Sequence, residues 1–175
     1  MFEVMFDFAL LGALYALIWV WRLKRRDERY RVWFTLFYIY VCMVVCVTLM
    51  PFKIVIPGSD ALAFEQINFE PFRDIRRGYL GAKSSAVLNC VMFVPLGFML
   101  PTLKKRGIVK VTAISLVSSL CIEGVQFLYN WGAAANRRSV DVTDVIMNTA
   151  GGIIGYVLFR FARPVLIKLD ERLPV

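Results

Sequence analysis

Val32–Phe52 reads VWFTLFYIYVCMVVCVTLMPF, a run without a single charged side chain. A helix needs about 20 predominantly apolar residues to cross the hydrocarbon core of a bilayer, so this stretch predicts a transmembrane helix. Four more stretches meet the same requirement, and the last is the shortest: Val4–Trp21, Ser85–Leu103, Ile108–Tyr129 and Val145–Phe161. The sequence therefore predicts an all-α integral membrane protein, a bundle of five transmembrane helices that fills residues 1–175 as one domain.

The composition agrees with a lipid environment. Of the 175 residues, 59% are hydrophobic and 19% are charged, and the mean hydropathy is +0.63, whereas an average soluble domain has roughly 45–50% apolar and about 25% charged residues. The net charge of +8 would suit a nucleic-acid binder, but such proteins gather their basic residues on a soluble face. Here the basic residues flank apolar runs, so no nucleic-acid partner is predicted.

The basic residues also predict an orientation. Glu3 and Asp7 lie at the start of the first span, and the basic cluster from Arg22 to Arg31 follows it, which is the reverse of a secretory signal peptide. With the N-terminus outside and the C-terminus in the cytoplasm, fourteen Lys and Arg residues fall on the cytoplasmic side and seven outside. Because cytoplasmic segments carry the excess of basic residues, we predict this topology for a multi-pass protein of the cytoplasmic (inner) membrane.

Several kinds of chemistry are excluded. The sequence has no histidine, which rules out a Ser-His-Asp triad, a Cys-His dyad and a histidine metal site. The four cysteines lie inside apolar runs, without the spacing of a zinc site or a disulfide framework: Cys42, Cys46, Cys90 and Cys121. Acid–base chemistry would therefore use Asp, Glu, Lys, Tyr or Cys.

Glu123 is the one formally charged side chain well inside a predicted span. On insertion scales, placing an acid at the centre of a membrane helix costs about 2.5–3.5 kcal/mol. Gln126 follows at i+3 and shares the same helix face. Ionisable residues in membranes are candidates for functional sites, and the structural alternative is a protonated Glu123 bonded to a neighbouring helix.

The most distinctive polar run leads into the fifth span. Arg137 and Arg138 precede Asp141, Asp144 and Asn148. The last three are spaced i, i+3 and i+7, which places three oxygen-bearing side chains on one helix stripe. Helix capping explains an acid at the start of a helix. It does not explain Asn148, which lies a turn deeper, where its amide needs a hydrogen-bond partner.

Small residues and a proline predict how the helices pack. Gly151 and Gly155 form a G-x-x-x-G pair, a pattern that allows close helix packing. In the third span Asn89 is followed by Pro95, which either breaks the helix at a binding site or serves packing alone. The segment Lys53–Lys83 is too long for an ordinary connection, and we expect a short interfacial helix within it, around residues 72–79, with arginines on its polar face.

Four segments, in this order, resemble the VanZ-like membrane proteins, a family named after an accessory protein of glycopeptide (teicoplanin) resistance. The resemblance covers roughly residues 68–156. The segments are NFEPF (Asn68–Phe72), NCVMFVPLGF (Asn89–Phe98), the pair Glu123 and Gln126, and RSVDVTDVIMNTAGGIIGY (Arg138–Tyr156). The resemblance implies a multi-pass bacterial envelope protein that acts at or near the outer face of the cytoplasmic membrane, and it supplies no agreed catalytic residues.

Two functions from different classes remain open. In the first, an outer-leaflet site binds or modifies a phosphate-bearing lipid or a lipid-linked envelope precursor, by phosphoryl or glycosyl transfer or by hydrolysis. Arginine binds phosphate oxygens bidentately, and carboxylates suit a hard divalent cation such as Mg²⁺. The candidate catalytic residues are Glu123, Asp141 and Asp144, of which Asp141 and Asp144 are also the candidate metal ligands; the candidate substrate-binding residues are Asn68, Asn89, Gln126, Arg137, Arg138 and Asn148.

In the second function the protein is a non-catalytic envelope factor, and the same polar cluster is an interhelical network. A transporter ranks last, because the sequence shows no internal repeat of the kind that many transporters contain.

Overall fold

A computed structural model describes residues 2–50, 67–132 and 140–169, and the described part of the chain is predominantly helical. The chain forms two compact units, Met1–Ile54 and Val55–Val175. The single domain expected from the sequence stays a prediction.

The first unit is a pair of long helices. Helix α1 (Phe2–Ile18) continues into a π-helical turn over Trp19–Leu23, and α2 spans Glu28–Leu49. The helix α2 begins at Asp27, whose carboxylate accepts a hydrogen bond from the Tyr30 N–H at 3.4 Å, as expected of an N-cap aspartate. The two helices run antiparallel, because residues earlier in α1 form hydrogen bonds with residues later in α2.

Side-chain hydrogen bonds of Tyr15 and Tyr38 help to hold that pair together. The hydroxyls of Tyr15 and Thr35 lie 2.6 Å apart, and the Tyr38 hydroxyl donates to the Leu11 carbonyl at 2.7 Å. If the helices separated in a membrane, each hydroxyl would face hydrocarbon without a hydrogen-bond partner. These bonds therefore favour the paired arrangement.

The second unit contains the remaining elements. They are β1 (Ile67–Asn68), α3 (Arg73–Arg76), α4 (Ala82–Leu103), α5 (Ile108–Gly132), β2 (Val140–Asp141) and α6 (Val142–Leu169). The two short strands pair in parallel. Helix α6 packs against α4, to which it is parallel, and against α5, to which it is antiparallel. The start of α4, the end of α5 and the start of α6 therefore lie at the same end of the unit.

Glycines bring α4 and α6 into backbone contact. A Cβ atom added at Gly151 would collide with the carbonyl oxygen of Cys90, and one added at Gly155 would collide with that of Val94. On the facing helix, a Cβ atom at Gly97 would strike the backbone of α6. The prediction that the G-x-x-x-G pair permits close packing is confirmed.

The five predicted spans are confirmed as helices long and apolar enough to cross a membrane. Within the described ranges these are Met5–Leu23, Glu28–Leu49, Ala82–Leu103, Ile108–Tyr129 and Val142–Lys168. The prediction that the last span is the shortest is wrong, because α6 has 28 residues. The helix continues through charged residues at its end. Charged side chains do not interrupt the backbone hydrogen bonds of a helix, and long basic side chains can extend to polar surroundings.

The expected interfacial helix is shorter than predicted. Helix α3 has four residues, and positive φ angles at Phe72 (59°), Gly78 (71°) and Gly81 (85°) bend the chain before and after it. Residues 51–66 of the predicted loop lie outside the described residues.

The orientation of the helices stays a prediction, and reporter fusions test it. A reporter after Val175 or within Lys104–Lys110 should be active in the cytoplasm, and one within residues 53–83 should be active outside, because the basic residues favour this direction two to one. Accessibility of engineered cysteines to a membrane-impermeant reagent gives the same information independently. A C-terminal reporter on the outer side would contradict the five-span orientation.

Candidate functional site

Asp141 lies at the centre of a polar cluster at one end of the second unit. Its Oδ1 accepts a hydrogen bond from the Thr143 N–H at 2.7 Å, which makes it the N-cap of α6. Its Oδ2 accepts from Asn68 Nδ2 at 3.0 Å, and its own N–H donates to Glu123 Oε2 at 3.2 Å. This residue therefore joins β1, α5 and α6.

The segment after β1 is held against the start of α6. Asn68 is 1% exposed, and its Oδ1 accepts from the Glu70 N–H at 3.1 Å. Phe72, in a left-handed conformation that is uncommon for a bulky residue, donates its N–H to Thr143 Oγ1 at 2.9 Å. Together with the parallel pairing of Asn68 and Asp141, these bonds fix the NFEPF segment beside the α6 N-terminus.

Asp144 brings α4 into the cluster. The Asn89 side chain hydrogen-bonds to the Asp144 carboxylate. Asp144 also lies close enough to Glu123, Asp141 and Asp74 for their charges to interact. Such neighbouring carboxylates repel one another when ionised, so a positively charged group would stabilise them.

A row of buried polar side chains continues from the cluster along α5 and α6. Asn148 is 2% exposed and donates from Nδ2 to Ser119 Oγ at 2.9 Å. Ser119 and Ser115, one turn further along α5, are fully buried. Within the described residues, the Asn148 Oδ1 and Ser115 Oγ atoms have no hydrogen-bond partner. Gly152 of α6 packs directly on the Ser115 hydroxyl, so this row lies in a tight helix contact.

The structure brings together five of the nine residues predicted for the site, namely Asn68, Asn89, Glu123, Asp141 and Asp144. Asn148 lies deeper, at the Ser119 contact, and Gln126 is half-buried one turn beyond Glu123 on α5. Arg137 and Arg138 lie outside the described residues. The catalytic and binding roles assigned to all nine stay predictions.

The metal prediction for Asp141 and Asp144 also stays a prediction. Within residues 2–50, 67–132 and 140–169, no group of three or more His, Cys, Asp or Glu side chains is arranged to hold a metal ion. The hydrogen bonds to Asp141 described above engage both of its carboxylate oxygens.

Four polar residues near the cluster were not among those predicted from the sequence: Thr143, Asp74, Ser115 and Ser119. Ser115, Ser119 and Glu123 are spaced at four-residue intervals, a signal of one helix face that was available in the sequence. Thr143 and Asp74 gave no such signal, because their contacts are with segments distant in sequence.

These features define a polytopic α-helical membrane protein with a cluster of amides and carboxylates at one end of its second unit. The chain belongs to the VanZ/LLP1 family, whose model matches residues 37–163, and the predicted resemblance is confirmed. Protein VanZ of Enterococcus faecium is 39% identical over 72 residues. That match covers 41% of this chain and 41% of the relative's length. No solved structure matches the chain.

Proposed function

We propose that this chain is a cell-envelope protein that binds a phosphate-bearing lipid, or a lipid-linked envelope precursor, at its polar cluster in the outer leaflet. By its resemblance to the VanZ-like proteins, this binding would reduce susceptibility to teicoplanin. One observation carries the proposal: amide and carboxylate side chains from β1, α4, α5, β2 and α6 converge at one end of three membrane helices.

The chemistry of the cluster suits a polar lipid headgroup. Amides such as Asn68 and Asn89 can donate to phosphate oxygens, and carboxylates accept from sugar hydroxyls or attract an amine. Arg137 and Arg138 come shortly before β2 in the sequence and would supply guanidinium groups, which bind phosphate bidentately. A divalent cation such as Mg²⁺, if bound, would be held by the carboxylates of Asp141 and Asp144 and would neutralise negative charge on the phosphate.

The catalytic version of this proposal assigns the chemistry to Glu123, Asp141 and Asp144. The bound lipid would then undergo phosphoryl or glycosyl transfer, or hydrolysis. Glu123 is 5% exposed, and a carboxyl group sheltered from water in this way is a reasonable proton donor or acceptor for such a reaction.

A second candidate is a structural network in a non-catalytic envelope protein. The observation that favours it is that the Asp141 carboxylate caps α6 and accepts a hydrogen bond from Asn68. Such bonds stabilise helix ends and segment packing without any ligand.

Lipid binding by two variants separates the candidates. The purified full-length chain would be mixed with a polyprenyl phosphate and Mg²⁺ in detergent, and the bound lipid counted by native mass spectrometry. Arg138→Gln should weaken binding about tenfold or more, because a hydrogen bond to a charged group is worth about 1.5–3 kcal/mol. Glu123→Gln should weaken binding while the melting temperature is retained, since glutamine keeps an oxygen that can accept from the Asp141 N–H.

The matched control is Lys104→Gln, which removes one exposed positive charge at the opposite end of α4. It should bind the lipid like the unchanged protein. If Arg138→Gln and Glu123→Gln also bind it unchanged, the lipid site is overturned and the structural candidate stands.

A further inference from the structure

The first unit contains an apolar groove along the α1 and α2 pair, independent of the carboxylate cluster and largely outside the stretch with the strongest family resemblance. Its volume is about 680 Å³. Its walls include Phe8, Gly12 and Tyr15 of α1 and Ile39, Met43 and Val47 of α2. On each helix the lining residues recur at three- and four-residue intervals, so the groove follows one face of each helix.

The polar atoms in this groove are already satisfied within the protein. The Tyr15 and Thr35 hydroxyls bond to each other, Thr35 also donates to the Arg31 carbonyl at 2.7 Å, and Tyr38 donates to Leu11. A polar ligand would therefore find few free groups, and an alkyl chain matches the walls.

The length of the groove fits one lipid chain. Its α2 lining runs from Thr35 to Val47, which at 1.5 Å per residue corresponds to roughly 18 Å. One leaflet of a bilayer has a hydrocarbon depth of roughly 15 Å, half of the usual 30 Å core. An acyl chain in the groove would span its leaflet.

A second cleft, lined by apolar and charged side chains, adjoins the groove at the end that carries the basic cluster. The cleft has a volume of about 410 Å³, is lined by Trp19, Glu28 and Arg31, and shares Thr35 with the groove. The Arg31 guanidinium lies 5.8 Å from the centroid of the Trp19 ring. Glu28 and Arg31 are three residues apart on α2, so a negative and a positive side chain face the cleft about 5–6 Å apart at their Cβ atoms.

We propose that this groove binds one molecule of phosphatidylethanolamine. The acyl chain lies along the apolar walls, the phosphate bonds to Arg31, and the ammonium group lies against Glu28. The paired charges of the cleft match a headgroup in which phosphate and ammonium are separated by two carbons. A headgroup without an amine would leave the Glu28 carboxylate without its ammonium partner and is disfavoured.

Native mass spectrometry of the full-length chain with equal amounts of phosphatidylethanolamine and phosphatidylglycerol tests this proposal. We expect one phosphatidylethanolamine per chain to be retained in preference. Arg31→Gln should lower its apparent affinity about tenfold or more, because it removes a hydrogen bond to a charged group. Glu28→Gln should abolish the preference for phosphatidylethanolamine over phosphatidylglycerol.

A matched pair of variants tests the groove itself. At Gly12 an added Cβ meets nothing within 4 Å, so Gly12→Leu should fold, as a retained melting temperature would show, and block the groove. Ala13→Leu adds the same side chain at the next, exposed position of α1, outside the groove, and should leave binding unchanged. Preferred retention of phosphatidylglycerol by the unchanged protein, or equal lipid retention by Gly12→Leu and Ala13→Leu, would overturn the proposal.

Discussion

Gly155→Ala is expected to lower the stability of the purified protein sharply, although it adds a single methyl group. The new Cβ would collide with the Val94 carbonyl oxygen and lie 2.9 Å from the Phe98 backbone nitrogen, and backbone atoms of a packed helix cannot move aside cheaply. Overpacking of this kind costs about 1–3 kcal/mol and sometimes more. Thermal unfolding in detergent micelles, followed by circular dichroism, measures the change.

Gly124→Ala is the matched control for that variant. A Cβ atom at Gly124 of α5 would meet nothing within 4 Å, and alanine is favoured over glycine inside a helix by up to about 1 kcal/mol. The control should therefore unfold at the same temperature as the unchanged protein or higher. Equal melting temperatures for the two variants would show that α4 and α6 do not rely on backbone contact.

The transmembrane helices were predictable from the sequence because the requirement for about 20 apolar residues acts locally. For Ile108–Tyr129 the predicted and observed spans coincide. The ends of α6 were not predictable in the same way, because hydropathy falls where basic residues begin at Arg160, whereas the helix continues to Leu169.

The polar residues of the site were predictable individually, and their partners were not. Asn68 and Asp141 stand out as polar groups beside membrane spans, yet they are 73 residues apart in sequence. The strands that join them have two residues each, too few for the alternating pattern that identifies a strand.

Asp141→Ala is expected to destabilise the second unit by about 1.5–5 kcal/mol. The variant removes the N-cap of α6, worth about 0.5–2 kcal/mol, and leaves the buried amide of Asn68 without the acceptor that it has at 3.0 Å, a loss of about 1–3 kcal/mol. Glu70→Ala is the control, because the Glu70 and Arg76 side chains form an ion pair in which both are more than half exposed. Such pairs contribute at most about 1 kcal/mol.

A double-mutant cycle then shows whether Asp141 acts through Asn68. Suppose that the two side chains stabilise the unit through their mutual hydrogen bond. The double variant Asp141→Ala and Asn68→Ala should then lose less free energy of unfolding than the two single variants lose in sum, by about 1.5–3 kcal/mol. Because the same bond holds the NFEPF segment over the start of α6, Asn68→Ala should also raise the rate at which protease cleaves that segment, and Glu70→Ala should leave it unchanged. Additive losses with unchanged cleavage would mean that Asp141 does not position this segment, and its carboxylate would then be left to act on a ligand instead.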